Sequence, residues 1–312
     1  AAEVAEKVIV LKNGRIVEKG FLTDVFSNPK HLYTKQLMNS IPGKIKNKNK
    51  NIIDLQINPI LEIKNISKSY DTVACDDISF NLYTNEIIGI VGESGSGKTT
   101  LSNLILSLIE PTTGTILYNG KNIFDFNKKD LLNFRRKVQV VFQDPYASLN
   151  PTMNVFEIIS EPWFIHSDFL NRKLFADKVS ELLISVGLHP DDAKKYPHEF
   201  SGGQRQRIAI ARALALSPEV IICDEAVSAL DVSIQAQIIK LLLDLKNKFS
   251  LSYLFIAHDL PVVRDLADRV IVMKSGKIIE QGDIDDVFNK PQQKYTKDLL
   301  KSSPSIEKFI NL

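Results

Sequence analysis

The chain has 312 residues, of which 44% are hydrophobic and 24% are charged, a composition typical of one or two globular domains. Its 39 basic and 37 acidic residues leave a net charge of +2, which is too balanced for a protein whose main partner is nucleic acid or anionic lipid. No apolar run is long enough to span a membrane, and the two cysteines provide neither a disulfide framework nor a zinc site, so we expect a cytoplasmic location.

The two ends of the chain repeat one another. Residues 5–42 align without a gap to residues 267–304, at a constant offset of 262 (267 − 5 = 262), and 19 of the 38 aligned positions are identical. Matched pairs include Gly14 with Gly276, Glu18 with Glu280, and Tyr33 with Tyr295. Each copy predicts a strand, a glycine turn, a second strand and two short helices. We interpret residues 1–42 as the C-terminal remnant of an upstream module; convergence of two ordinary hairpins is the alternative.

A lysine-rich segment, residues 43–59, follows the first copy. Its polar composition predicts an extended linker, and a lipid- or RNA-binding patch is the alternative. Alternating apolar residues at 60–66 and 77–82 then predict two strands. The main module therefore spans residues 60–282, and a tail of residues 283–312 closes the chain.

A glycine-rich loop lies between a predicted strand, residues 86–91, and a predicted helix, residues 100–109. It runs from Gly92 to Thr99 and reads G-x-x-x-x-G-K-T. Glycines let successive backbone N–H groups point at phosphate oxygens, and the helix N-terminus adds a positive dipole end. Lys98 would reach the β- and γ-phosphates and the Thr99 hydroxyl would ligate Mg²⁺; a turn that binds nothing is the alternative. The expected nucleotide contacts are Gly92, Ser94, Gly95, Ser96, Gly97, Lys98, Thr99 and Thr100.

Three further predicted strands end in polar side chains. The runs 138–142, 220–223 and 253–257 are followed by Gln143, by Asp224 and Glu225, and by His258. Ligands bind at the carboxyl edge of open α/β sheets. We expect Asp224 to hold Mg²⁺ with Gln143 as a further metal ligand, and Glu225 to polarise the attacking water. Gln143 and His258 would reach the γ-phosphate from two sides, although a lone Gln or His at a strand end is more often structural.

A helical region is predicted over residues of about 150–217, with turns at Pro162 and at His189-Pro190. Within it, the sequence Ser201-Gly202-Gly203-Gln204 opens a helix that stops before Pro218. Trp163 also lies in this region, either as a core side chain or as an anchor for a partner.

Taken in order, these motifs make residues 60–304 resemble the ATP-binding cassette (ABC) ATPases. The matching motifs are the Walker A loop 92–99, the Q-loop Gln143, the signature 201–204, the Walker B run 220–225, the D-loop Ser228-Ala229-Leu230-Asp231 and the switch His258. Phe200 precedes the signature serine, where leucine is common, which is a mild departure. The resemblance implies an α/β fold of the P-loop NTPase (ABC ATPase) class, with a mixed sheet core, an antiparallel β subdomain and a helical subdomain.

The resemblance also implies roles that the residues alone do not. Tyr70 resembles the aromatic side chain that stacks on adenine, with a plain hairpin tyrosine as the alternative. In the family the signature, here Ser201, Gly202, Gly203 and Gln204, caps the γ-phosphate held by a second module, and the D-loop, here with Asp231, also borders the nucleotide. Two modules would therefore close head to tail over two ATP molecules, and one module alone should hydrolyse ATP poorly.

Within this family the chain most resembles the motor subunits of oligopeptide and dipeptide importers. This resemblance rests on the segments 142–151 and 196–207 and on the tail residues 287–296. This implies ATP and Mg²⁺ as cofactors, two transmembrane permease subunits as partners, indirect contact with an extracytoplasmic substrate-binding protein, and a peripheral place on the cytoplasmic face of the membrane. A second ABC ATPase module would be fused upstream. The tail has no cysteine, so we expect no iron–sulfur cluster, and we expect no nucleic-acid partner.

Two other functions remain open at this point. One is a soluble, non-transport ABC ATPase of translation or DNA repair, which the balanced charge and the importer-like segment disfavour. The other is an inactive nucleotide-binding scaffold, which the intact Lys98, Asp224, Glu225 and His258 disfavour. The cargo is equally open among dipeptides, longer peptides and nickel chelates.

Overall fold

The structure is a computed structural model that describes residues 5–39, 58–228, 230–258 and 260–302. Its first unit is a two-stranded antiparallel ribbon followed by two short helices. These elements are β1 (Lys7–Lys12), β2 (Arg15–Phe21), α1 (Leu22–Ser27) and α2 (Leu32–Asn39). Most of the expected linker and the last ten residues of the tail lie outside the described residues.

The other strands all belong to two larger sheets. In chain order they are β3 (Leu61–Ser69), β4 (Val73–Leu82), β5 (Ile87–Val91), β6 (Thr113–Tyr118), β7 (Lys121–Asn122), β8 (Val138–Val141), β9 (Val220–Asp224), β10 (Ser252–Ala257), β11 (Arg269–Lys274) and β12 (Lys277–Asp283). The helices among them are α3 (Lys98–Ile105), α4 (Lys128–Lys137), α5 (Pro145–Ser148), α6 (Val155–Ile165), α7 (Phe175–Ser185), α8 (Gly202–Leu214), α9 (Val232–Phe249), α10 (Leu260–Leu266), α11 (Ile284–Asn289) and α12 (Lys294–Ser302).

The central sheet has six strands in the order β12-β11-β5-β10-β9-β8. Strands β11, β5, β10, β9 and β8 run parallel, and β12 pairs antiparallel with β11 at the edge. Strands β5 and β10 are buried at every position, which their continuous apolar sequences explain because both faces of the sheet are covered. The smaller sheet, β4-β3-β6-β7, is antiparallel throughout. The expected mixed core and antiparallel subdomain are thus confirmed.

Successive residues of β5 point to opposite faces of the central sheet. Ile87 and Val91 join a cluster that includes α6 to α9, whereas Ile88 and Ile90 join a cluster with α3 and the small sheet. The hydrophobic core therefore lies in two layers, one on each face. The polar residues at the carboxyl ends of the strands are left at one edge.

Two local expectations were wrong. The helix predicted to Ile109 ends at Ile105, because Ser107 adopts a left-handed backbone conformation (φ 52°) that terminates it. Pro162 was predicted to mark a turn, but it lies inside α6. The helix continues past Pro162 to Ile165, because the N–H that proline lacks would have bonded only to the Ile158 carbonyl oxygen, one turn earlier.

Trp163 is a core residue. Its side chain is 1% exposed and its indole Nε1–H donates to the Ala215 carbonyl oxygen at 2.8 Å. The partner-anchor alternative is therefore excluded for this side chain.

Candidate active site

The glycine-rich loop connects β5 to α3 at the edge where the parallel strands end. A Cβ atom at Gly92 would collide with the Met273 carbonyl oxygen, and one at Gly97 would collide with the Ala74 carbonyl oxygen. Gly97 also has a left-handed φ of 101°. Neighbouring backbone therefore requires glycine at both positions, and this holds the loop in a curl between β4 and β11.

Lys98 folds back over this loop. Its side chain is buried, and its Nζ donates to the carbonyl oxygens of Gly92 (2.8 Å) and Glu93 (2.9 Å) and to the Ser96 hydroxyl (3.4 Å). Burial lowers the pKa of Lys98, and the nearby carboxylates of Glu225 and Asp224 oppose that shift. The ammonium group is thus held in the loop interior at the start of α3, where phosphate oxygens would replace the carbonyl partners.

The other residues of the glycine-rich loop differ in exposure. Ser94, Gly95 and Thr99 are exposed, whereas Ser96 is buried. An anion bound at the N-terminus of α3 would therefore lie next to exposed residues of the loop.

Asp224 is the last residue of β9 and Glu225 follows it, two strands away from the loop. Burial raises the pKa of the Asp224 carboxyl, Glu225 adds to that rise, and Lys98 opposes it. A half-buried carboxylate beside a second one is stabilised by a divalent cation, so the donor set fits the expected Mg²⁺. The assignment of Thr99 and Asp224 as metal ligands stays a prediction.

Glu225 is turned toward the switch histidine. It adopts a left-handed conformation (φ 49°), its N–H donates to the Ile256 carbonyl oxygen of β10 at 2.9 Å, and its Oε2 lies 3.7 Å from Nδ1 of His258. Non-glycine residues rarely adopt this conformation outside functional sites and turns. The structure therefore brings Lys98, Asp224, Glu225 and His258 to one edge.

Gln143 and Tyr70 lie further out. Gln143 is exposed two residues beyond β8, on the far side of β9 from the loop. Tyr70 is 59% exposed at the end of the β3–β4 hairpin, and Lys68 Nζ lies 5.1 Å from its ring centroid. The same hairpin contacts the loop, because Cys75 Sγ lies 3.7 Å from the Gly97 carbonyl oxygen. Their assigned roles stay predictions.

The signature residues form the start of α8. Ser201 accepts from the Gln204 N–H (3.4 Å) and its own N–H donates to Gln204 Oε1 (3.0 Å), which makes a reciprocal cap. Gly203 faces α9 so closely that a Cβ would collide with Ile234. The Ser201 contacts thus cap α8, and the Gly203 contact packs α8 against α9. Neither of these contacts reaches the phosphate loop.

Asp231 has a local task as well. Its carboxylate caps α9 by accepting from the N–H groups of Ser233 and Ile234, each at 3.1 Å, and these bonds with the Ser233 hydroxyl hold its pKa low. The nucleotide role assigned to it stays a prediction.

Sequence reasoning missed two supports of the loop. The Gly276 N–H, in the β11–β12 turn, donates to the Ser96 carbonyl oxygen at 3.0 Å. The Tyr295 hydroxyl, on α12, accepts from the Glu93 N–H at 3.3 Å. Both residues are identical between the two ends of the chain, a signal that marks them without indicating what they contact.

Comparison with protein families identifies this arrangement. The family model described as ABC transporter matches residues 75–228, which contain the loop, the signature and the acidic pair. Residues 75–228 belong to the ABC transporter family. A second model, the oligopeptide/dipeptide transporter C-terminal region, matches residues 17–68 and 279–311 of this ABC chain, and so matches both copies of the repeat.

Curated relatives of this ABC chain include proteins named glutathione import ATP-binding protein GsiA. The protein from Pectobacterium atrosepticum is 40% identical over 97% of this chain, and that from Escherichia coli K12 is 42% identical over 98% of it. Each alignment covers 54% of the relative. The chain thus spans about half the length of the curated relatives it matches.

Solved structures agree on the fold. CbiO1 from Clostridium perfringens, described as part of the ABC transporter complex cbiONQ, matches with a TM-score of 0.69 and 28% identity, over 82% of this chain and 100% of that one. The ATP-binding cassette MJ0796, in a post-hydrolysis state bound to ADP and Pi, matches with a TM-score of 0.64 and 29% identity, over 72% and 98%. The ABC cassette fold of this chain is thereby established.

Proposed function

We propose that this chain binds and hydrolyses MgATP as the motor subunit of an importer for short peptides. The observation that carries the proposal is the convergence of buried Lys98, held by the loop carbonyls, with Asp224, Glu225 and His258 at one sheet edge. Such a combination of phosphate grip, metal-binding carboxylate and base supports phosphoryl transfer to water.

Each residue has a defined task in that reaction. The loop N–H groups and Lys98 bind the phosphate oxygens and offset the negative charge that develops on them. Glu225 orients the attacking water and accepts its proton, while His258, whose Nδ1 lies 3.7 Å from Glu225 Oε2, would reach the γ-phosphate. Thr99, Asp224 and Gln143 would hold Mg²⁺, which supplies further positive charge at the phosphates.

The second module of the motor would be the one to which residues 1–42 belong. Ile9 is 58% exposed on β1, whereas its counterpart Ile271 is 1% exposed on β11, next to β5. An exposed apolar side chain on β1 is expected if this strand, like β11, packs inside the sheet of its own module. This contrast, together with the match of one family model to both copies, supports a fused upstream ABC module that supplies the opposing signature.

The membrane partners would be two permease subunits, reached through the helical region. Phe164 and Ile165 on α6 and Ile184 on α7 are each more than half exposed, and they offer apolar side chains for such a contact. Among the residues described, no helix is long and apolar enough to cross a bilayer. On the proposed function, the chain would lie at the cytoplasmic face, held by those partners, with the substrate-binding protein on the other side.

The relatives are named for glutathione import, and on that basis we favour glutathione and peptides of similar size as cargo. The test is uptake of labelled glutathione into vesicles that contain the permease subunits and this chain with its second module. Uptake should require MgATP and stop with Lys98→Ala. ATP hydrolysis without uptake, or with stimulation by RNA or DNA instead, would favour the soluble ATPase.

A further inference from the structure

One peptide group of the phosphate loop is held from both sides. The Gly92–Glu93 peptide presents its carbonyl oxygen to Lys98 Nζ at 2.8 Å and its N–H to the Tyr295 hydroxyl at 3.3 Å. In a trans peptide these two groups point in opposite directions, so Tyr295 and Lys98 lie on opposite sides of one rigid plane. A hydrogen bond to the N–H fixes the rotation of that plane and polarises the carbonyl group.

We propose that Tyr295 is a positioning residue of the phosphate loop: its hydroxyl orients the Gly92–Glu93 peptide and, through it, the ammonium group of Lys98. This inference rests on the proposed function, since it concerns the grip on nucleotide phosphates. It gives the C-terminal tail a direct role at a loop that is 202 residues away in the sequence.

The tail places the Tyr295 ring by contacts of its own. The Glu280 carboxylate accepts from the N–H groups of Gln292 (2.7 Å) and Gln293 (3.2 Å), which fixes the start of α12. Lys274 Nζ then lies 4.4 Å from the Tyr295 ring centroid. Partial burial raises the pKa of the Tyr295 hydroxyl, so it stays neutral and can accept from an N–H group.

The first copy of the repeat has the same construction. Glu18 accepts from the N–H groups of Lys30 (2.8 Å) and His31 (3.0 Å), and Lys12 Nζ lies 4.9 Å from the Tyr33 ring centroid. Ring placement is therefore intrinsic to this folding unit. The hydroxyl contact with a phosphate loop is an additional feature of Tyr295, and Tyr33 provides a matched control.

The experiment measures MgATP affinity of the 312-residue chain by displacement of a fluorescent ATP analogue, for wild type, Tyr295→Phe and Tyr33→Phe. Phenylalanine keeps the ring and its contact with lysine and removes only the accepting oxygen. We expect Tyr295→Phe to weaken MgATP binding about two- to tenfold, the equivalent of one net hydrogen bond. Tyr33→Phe should bind as wild type does, and the melting temperatures without nucleotide should agree.

Adenosine separates a positioning role from a general structural one, because it lacks phosphates. Its affinity should be the same in all three proteins. Unchanged MgATP affinity in Tyr295→Phe, or an equal loss for adenosine, would overturn the inference and leave the proposed function intact. Failure of the wild-type chain itself to bind MgATP would overturn both.

Discussion

The two copies of the repeat form the same local structure in different surroundings. In both, the antiparallel pair has a register shift at the same place, between Val10 and Leu11 and between Val272 and Met273. Both tight turns contain a left-handed residue followed by a left-handed glycine. What differs is the next strand: β11 pairs with β5, whereas β1 pairs with β2 in a two-stranded sheet. Local sequence therefore determines the unit, and its neighbours determine which side chains are buried.

The largest effect is expected at the catalytic edge beside the second copy. Glu225→Gln should lower ATP turnover by about 100- to 10,000-fold, because the amide cannot accept a proton from water, while MgATP stays bound. Phosphate release, measured with the second module present, checks the rate. Normal turnover in the variant would contradict the role given to Glu225.

The next largest effect is expected at a buried ion pair that distinguishes the two copies. Asp268 accepts from Lys246 Nζ at 2.9 Å and from the Ile87 N–H at 2.8 Å, and its counterpart in the first copy, Glu6, is exposed. Asp268→Ala should lower the free energy of unfolding by about 3–5 kcal/mol, because it leaves a buried ammonium unpaired. Glu6→Ala should change it by less than about 0.5 kcal/mol. Urea unfolding followed by the fluorescence of the single tryptophan, Trp163, gives both values.

Two apolar truncations test the burial contrast itself. Ile271→Ala should destabilise the protein by about 2–4 kcal/mol, because it opens a cavity beside β5. Ile9→Ala should have an effect below about 0.5 kcal/mol in the 312-residue chain. The same unfolding assay applies. A large effect of Ile9→Ala would mean that the Ile9 side chain is buried in solution, which would contradict the contrast in burial between β1 and β11.

The loop lysine gives the smallest of these effects. Lys98→Ala should weaken MgATP binding by about 10- to 100-fold, the loss expected for hydrogen bonds from a charged group to phosphate. Fluorescent-nucleotide displacement measures it, with Lys12→Ala in the first copy as a control that should bind normally. Unchanged affinity in Lys98→Ala would count against the loop assignment.

The sequence predicts the parts of this molecule that depend on short-range pattern. The strand–loop–helix around Lys98, the apolar run that ends at Asp224 and the start of α8 at Ser201 all follow from periodicity, turn residues and caps. These elements agree with local propensity, and so their positions are recovered within a few residues.

The remainder depends on contacts between distant residues. No local signal indicates that Gly203 must be small because Ile234 packs on it, or that Tyr295 reaches Glu93. Pro162 was misassigned for the opposite reason, since a local breaker signal was outweighed by the packing of α6 in the core. Tertiary contacts determine these cases, and local patterns in a single sequence do not reveal such contacts.

The strand identity between the copies has a consequence for how the chain reaches its native state. The same tripeptide occurs in β1, as Val8-Ile9-Val10, and in β11, as Val270-Ile271-Val272. Either strand would therefore present the same core side chains to β5. Selection must come from the flanking residues, above all Asp268, whose carboxylate neutralises Lys246 where Glu6 would bring a longer side chain. The buried Asp268–Lys246 pair therefore favours the second copy beside β5.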